Sequence, residues 1–201
     1  FAGVPSGYDA GSSIQRQAYF YSDATTNNPT TLQTDPYTGI IMNVAEVDFI
    51  LAEAAAKGWI NGTGESYYYK GIADAINYWL PNVLINPNDP AVKDYAVKAD
   101  IDWENSLPLN TTTPGTASKM ELIMLQKYYA NFLVDFQQWF EYRRTGHPFL
   151  PKGTGLVNGG KMPARLNYPS ISQSTNPTNY KNAVATQGTD DINTLVWWQK
   201  P

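Results

Sequence analysis

The chain has 201 residues, 42% apolar and 16% charged, which is enough for one hydrophobic core and too apolar for a disordered polymer. A formal net charge of −4 without any Lys or Arg run argues against nucleic acid or an anionic lipid surface, so the ligand is expected to be neutral or a protein. The absence of Cys excludes disulfides and a cysteine nucleophile, and a single His leaves no His-based metal site, so no metal or other cofactor is expected.

Residues 1–42 are rich in Gly, Pro, Ser, Thr and Asn and read mostly as loop, with at most a short extended piece at Gln17 to Tyr21. They contain neither a membrane-spanning run nor the charged and apolar regions of a leader. Residues 43–81 read as a helical hairpin. Its first arm, Asn43 to Lys57, has a capping Asn43 and a terminating Gly58, and is apolar around most of its circumference, so it should be covered on more than one side. Its second arm follows the NGTG turn, with Tyr68, Ile72, Ala75, Ile76 and Trp79 on one face and Pro81 as the stop. The hairpin has the size of one tetratricopeptide unit.

A short helix is expected over Pro90 to Lys98, then a loop to about Gly115. Residues 117–145 read as one long helix, with Leu122, Leu125, Tyr129, Phe132, Phe136 and Phe140 along one face and Arg143 and Arg144 at the negative end of its dipole. Residues 149–201 read as a loop-rich closing segment without a long helix. Its end, TLVWW, is expected to be extended with at least one indole packed down.

Three stretches carry a family resemblance. The segment QKYYANFLVDFQQWFEYRRTGHPFLP, Gln126 to Pro151, resembles the helix and Arg-Arg-Thr-Gly-x-Pro turn of the SusD/RagB family. The closing MPARLNYPSISQSTNPTNYKNAV and TDDINTLVWW, within Met162 to Trp198, are similar to that family's final Pro-x-Arg and Trp-Trp pattern. AEVDFILAEAAAKG, Ala45 to Gly58, matches a third segment, with Lys57 where Arg is common. Ser172 and Gln173 depart from it, since many relatives carry a Glu near there. The resemblance implies a mainly α fold of tetratricopeptide-like hairpins with long irregular loops, of which residues 1–201 are the carboxy-terminal part. It also implies a glycan-binding lipoprotein on the outer-membrane surface, anchored by a lipid on an amino-terminal Cys absent from this chain. Its implied partner is a TonB-dependent SusC-like transporter.

The chemistry-bearing residues support binding over cleavage. His147, in the turn THP, lacks a nucleophile elbow nearby and reads as a solvated turn residue. Glu46 and Glu53 share a helical face and Asp190 and Asp191 are adjacent, but Glu53 has Lys57 at i+4 and the Asp pair reads as a turn, so no catalytic residue is assigned. Arg165 is expected to tie down the tail. Aromatics in segments read as loop, Tyr8, Tyr19, Tyr21 and Trp103, are the candidates for stacking on sugar rings. Tyr68, Trp79, Tyr129 and Phe136 fall on helical faces expected to be core. The rival functions are a helical-repeat scaffold that binds protein alone, and a glycoside hydrolase.

Overall fold

A computed structural model describes residues 39–80, 84–109, 117–132, 134–156 and 158–200. Among them it forms seven α-helices and a terminal 3-10 turn, the mainly α architecture expected from the sequence. The described residues belong to two compact units, divided between Phe149 and Leu150. Pro81, the expected helix stop, lies outside the described residues.

The first unit contains α1 (Val44–Ala56), α2 (Gly64–Trp79), α3 (Pro90–Lys98), α4 (Lys119–Ala130) and α5 (Gln137–Thr145). Each of the first four starts at a side chain that satisfies an otherwise unpaired amide of the first turn: Asn43, Thr63, Asp89 and Ser118 accept from Glu46, Ser66, Ala91 and Ser118's own third successor, Glu121. Asn43 does more than cap. Its amide donates to the Ala130 carbonyl and to Asn131 Oδ1, both at 3.1 Å, and so fixes the start of α1 to the end of α4.

The core lies where α1 packs against α2 and α4, which accounts for the two-sided burial expected of α1. Phe49, Ala52, Tyr68, Ala73 and Ile123 are fully buried there. The α1–α2 contact is close because Gly71 has no side chain: a Cβ at that position would stand 2.7 Å from the Phe49 ring. Gly64 is used in the same way under Trp103, whose indole carbons lie 2.9 Å from where a Cβ would be.

The long helix expected over 117–145 is two helices. α4 ends at Ala130, turns follow at 131–132 and 135–136 with Asp135 at φ 38°, and α5 begins at Gln137. Asn131 and Asp135 are residues that leave helical geometry at low cost, and the apolar spacing masked that break. The consequence is a change of facing. Leu122 is buried as expected, but Tyr129, Phe136 and Phe140, placed on the same stripe by sequence, are 55%, 50% and 47% exposed.

The second unit contains α6 (Ser170–Thr175), α7 (Pro177–Gln187) and a 3-10 turn at Trp197–Gln199. The eleven-residue α7 corrects the expectation of loops with short turns. Arg165 ties this unit together as expected: it is buried, pairs with Asp190 at 3.6 Å, donates from Nε to the Leu166 carbonyl and lies 4.5 Å above the Tyr168 ring. Asp190 is the hub, accepting also from the Tyr168 amide and the Tyr180 hydroxyl. The tail differs from expectation. TLVWW closes in a 3-10 turn, Trp197 is 82% exposed and Trp198 is nearly half exposed, so the expected burial of an indole is not found.

Candidate functional site

The inner face of the first unit holds charge, not an open catalytic pair. Glu53, on the third turn of α1, is buried and accepts two hydrogen bonds from Arg144 of α5, at 2.8 and 2.6 Å, and one from Lys57 at 2.6 Å. Burial alone would raise the Glu53 carboxyl, but the bonds from Arg144 and Lys57 outweigh it and hold the group at about 2. One turn pair earlier, Glu46 accepts from Gln137 at 3.1 Å and lies 3.6 Å from the buried Lys127 ammonium, which is also 3.4 Å from Glu141. Lys127, Glu46, Glu141, Arg144, Glu53 and Lys57 therefore form one continuous network joining α1, α4 and α5.

Such a network suits structure better than glycoside cleavage. The general acid of a glycosidase needs a carboxyl held protonated near neutral pH, and Glu53 is pushed the other way. Asp48 is raised by burial, yet both its oxygens accept from Lys70, at 2.8 and 2.7 Å, and it faces α2. Asp190 is consumed by the second unit's hub, and Asp191 accepts from the Asn193 amide in the expected turn. His147 is a correction: far from solvated, its Nδ1 lies 2.6 Å from Glu121, whose other oxygen accepts from the Phe149 amide at 2.6 Å. The sequence offered no sign of this, because Glu121 lies 26 residues away across the helix break.

Tyr68 is buried as expected, whereas Trp103, Tyr129 and Phe136 reverse the expectation. Trp103 lies in a loop, but its indole is 8% exposed and packs 5.4 Å from the Tyr68 ring, held by a backbone bond from its amide to the Tyr69 hydroxyl. Its expected access to solvent is thus corrected. Tyr8, Tyr19 and Tyr21 lie outside the described residues. Exposed rings in the first unit stand mostly on helices and at helix ends, as Trp59, Tyr78, Tyr95, Tyr129, Phe136 and Phe140 do, with Phe149 in a loop. On α5, Phe136, Trp139 and Phe140 contact one another at centroid distances of 5.6 to 6.4 Å, with the Arg143 guanidinium 4.5 Å over Trp139. Trp59 was legible in principle, since it follows the helix-ending Gly58 and precedes the NGTG turn, the same loop criterion that selected Trp103.

The family model for "Starch-binding associating with outer membrane", SusD-like, matches residues 1–169. The chain belongs to the SusD-like family. Among solved structures, this SusD-like chain is similar to a SusD homolog from Bacteroides fragilis, with 31% identity and a TM-score of 0.64 over 81% of this chain and 35% of that one. It is similar to a chitin-binding protein with 30% identity and a TM-score of 0.58, over 79% of this chain and 33% of the other. A chitin-binding SusD homolog from Flavobacterium johnsoniae shares 26% identity at a TM-score of 0.57, over 80% and 36% of the two chains. The chain spans about a third of the length of these relatives. A search of curated proteins finds no match.

Proposed function

We propose that residues 1–201 are the carboxy-terminal part of a larger SusD-like protein that captures an oligosaccharide or polysaccharide at the bacterial cell surface without cleaving it. The protein passes the glycan to a TonB-dependent SusC-like transporter, and a lipid on an amino-terminal Cys outside these residues holds it to the outer membrane. The observation that carries this reading is the separation of chemistry on the first unit. Buried carboxylates are engaged by cations and amides, while flat aromatic faces are turned outward. Such faces stack on the C–H surfaces of sugar rings, and an ion-paired carboxylate near pKa 2 is a poor proton donor. Family membership and two chitin-binding structural neighbours support it.

Tyr8, Tyr19 and Tyr21 stay in the proposed stacking set on their sequence context, and Trp103 leaves it because its ring is buried. A second reading is favoured by one observation. The Phe136, Trp139, Phe140 and Arg143 face of α5 has the composition found at the centres of protein interfaces. Titration calorimetry of the intact protein against a glycan panel, run beside a reducing-end product assay, separates the readings. Saturable binding without product supports capture, new reducing ends would establish a hydrolase, and binding to no glycan while the transporter co-purifies favours the scaffold.

A further inference from the structure

We propose that Asn61 is a modification site: in the folded protein its carboxamide is lost by spontaneous cyclisation onto the Gly62 amide, while the chain's other Asn-Gly step, Asn158-Gly159, is protected by the fold. Each of the two steps is preceded by a β-branched residue, Ile60 or Val157, so their immediate flanks are closely matched. What differs is the structure around them. Asn61 and Gly62 are exposed in the bend between α1 and α2, and neither forms a hydrogen bond among the described residues. Asn158 is half-buried, and its Nδ2 donates to the Lys161 carbonyl at 2.6 Å and lies 3.5 Å from Asn193 Oδ1. Those contacts must break before its Cγ can turn toward the Gly159 nitrogen.

The turn itself demands the labile pair. Gly62 stands at φ 113°, a region that side-chain-bearing residues rarely adopt, and a Cβ there would lie 3.1 Å from the Tyr67 ring. A residue whose side chain could shield the amide is thereby excluded, and glycine presents the least hindered nitrogen a main chain offers. Immediately beyond, Thr63 caps α2 by accepting from the Ser66 amide at 3.2 Å, and Gly64 is closed in by Trp103. The helix therefore starts from fixed ground, while the Asn61-Gly62 step before it is left to water.

The chemistry needs water as its one co-reactant and no change of oxidation state. Hydroxide removes the Gly62 amide proton, the nitrogen attacks Asn61 Cγ, and the new C–N bond closes a five-membered imide. The Cγ–Nδ2 bond breaks, and the nitrogen takes a proton from water and leaves as ammonia. Water then opens the imide at either carbonyl. One opening leaves an ordinary Asp at position 61, and the other routes the main chain through the former side chain as isoaspartate. Both products add a negative charge to the turn, and isoaspartate also lengthens by one carbon the connection between α1 and α2.

Intact protein held in mildly alkaline buffer and sampled over time tests this by mass spectrometry of tryptic peptides 58–70 and 153–161, each of which contains one Asn. Peptide 58–70 is expected to deamidate about tenfold faster than 153–161, the factor that one retained hydrogen bond supplies. Its product should split into two species of equal mass, one of which accepts a methyl group from S-adenosylmethionine through an isoaspartyl methyltransferase. In denaturant the two rates should converge, because the local sequences are alike. Asn61→Ser should remove most methyl acceptance from aged native protein. Equal native rates, or a faster one at Asn158, would overturn the proposal. So would a native difference that survives unchanged in denaturant, which assigns it to the flanking residues and not to the fold. Peptide 58–70 staying intact in the native protein while reacting in denaturant would show that the turn holds Asn61 away from Gly62, and undiminished methyl acceptance in Asn61→Ser would move the site elsewhere.

Discussion

Against α2, helix α1 presents Phe49, whose ring occupies the space left open by Gly71, whereas toward α5 it presents Glu46 and Glu53, which take hydrogen bonds from Gln137 and Arg144. The two contacts obey different physics. Burying an aromatic ring gains roughly 25 cal/mol for each Å² of apolar surface removed from water, and it needs shape more than direction. Burying a carboxylate incurs a desolvation cost that its partners roughly offset, so the net gain is small while the geometry is strict. The α1–α2 interface thus supplies stability, and the α1–α5 interface supplies placement. None of the nine residues of α5 is buried, and its aromatic side chains are left for other contacts.

The comparison breaks first at Phe49. It is fully buried, and no neighbouring backbone can collapse into the space, because Gly71 already touches the ring. Phe49→Ala is expected to destabilise the protein by about 3 to 5 kcal/mol in chemical denaturation. A loss under about 1 kcal/mol would remove the claim that this interface carries the stability.

The polar interface is sharpened by its own substitutions. Arg144→Met leaves Glu53 buried with Lys57 alone, and a loss of about 2 to 3 kcal/mol is expected. Glu53→Gln combined with Arg144→Met should recover part of that loss, because no uncompensated carboxylate remains. The pH dependence has a definite sign. Glu53 titrates at about 2 in the folded state against an ordinary 4.5, so its contribution is present above pH 5 and is lost as pH falls toward 2. Denaturation midpoints measured from pH 7 to pH 3 should fall in the wild type and fall less steeply in the double variant. Parallel curves would show that the pair adds nothing.

What could be read in advance follows the same division. α1 and α2 were legible because Asn43, Gly58 and the apolar spacing are local signals, and local signals decide helix ends. The break at 131–136 was not, since the spacing of Phe132, Phe136 and Phe140 continues the stripe of α4 while the reason to turn is distant. Gln137 and Arg144 must reach Glu46 and Glu53, each 91 residues away in sequence. Trp103 was misjudged for a related reason: loop position says little about exposure when a glycine such as Gly64 stands ready to receive the ring. Family membership was legible because it rests on linear order.

His147 belongs to the unreadable part and supplies a smaller test. Read as a turn residue it is dispensable, whereas the structure gives it a 2.6 Å contact with the buried Glu121. His147→Ala removes one of the two contacts that satisfy that carboxylate, for which about 1 kcal/mol is expected. An unchanged midpoint for His147→Ala, with Glu121→Gln also silent, would return the residue to the solvated turn.

The smallest effect is expected on the outer face of α5, and it decides whether that face is displayed or packed. Phe140 touches Phe136 and Trp139 at its edge and is otherwise about half exposed, so its removal sacrifices an aromatic contact and little buried area. The polar bonds that place the helix come from Gln137, Glu141 and Arg144, and Phe140→Ser removes none of them. The expected change in unfolding free energy is therefore no more than about 0.5 kcal/mol, the range of an ordinary surface substitution. If the intact protein instead loses about 2 kcal/mol or more, the ring is covered by polypeptide outside the described residues, and α5 is packed on both sides like α1. If stability holds while co-purification with the transporter is lost, the face is an interface between proteins and the aromatic triad is its anchor. If stability and co-purification both hold and the affinity for glycan falls, the same triad is a second stacking surface, joined to α1 by charge and to sugar by its rings.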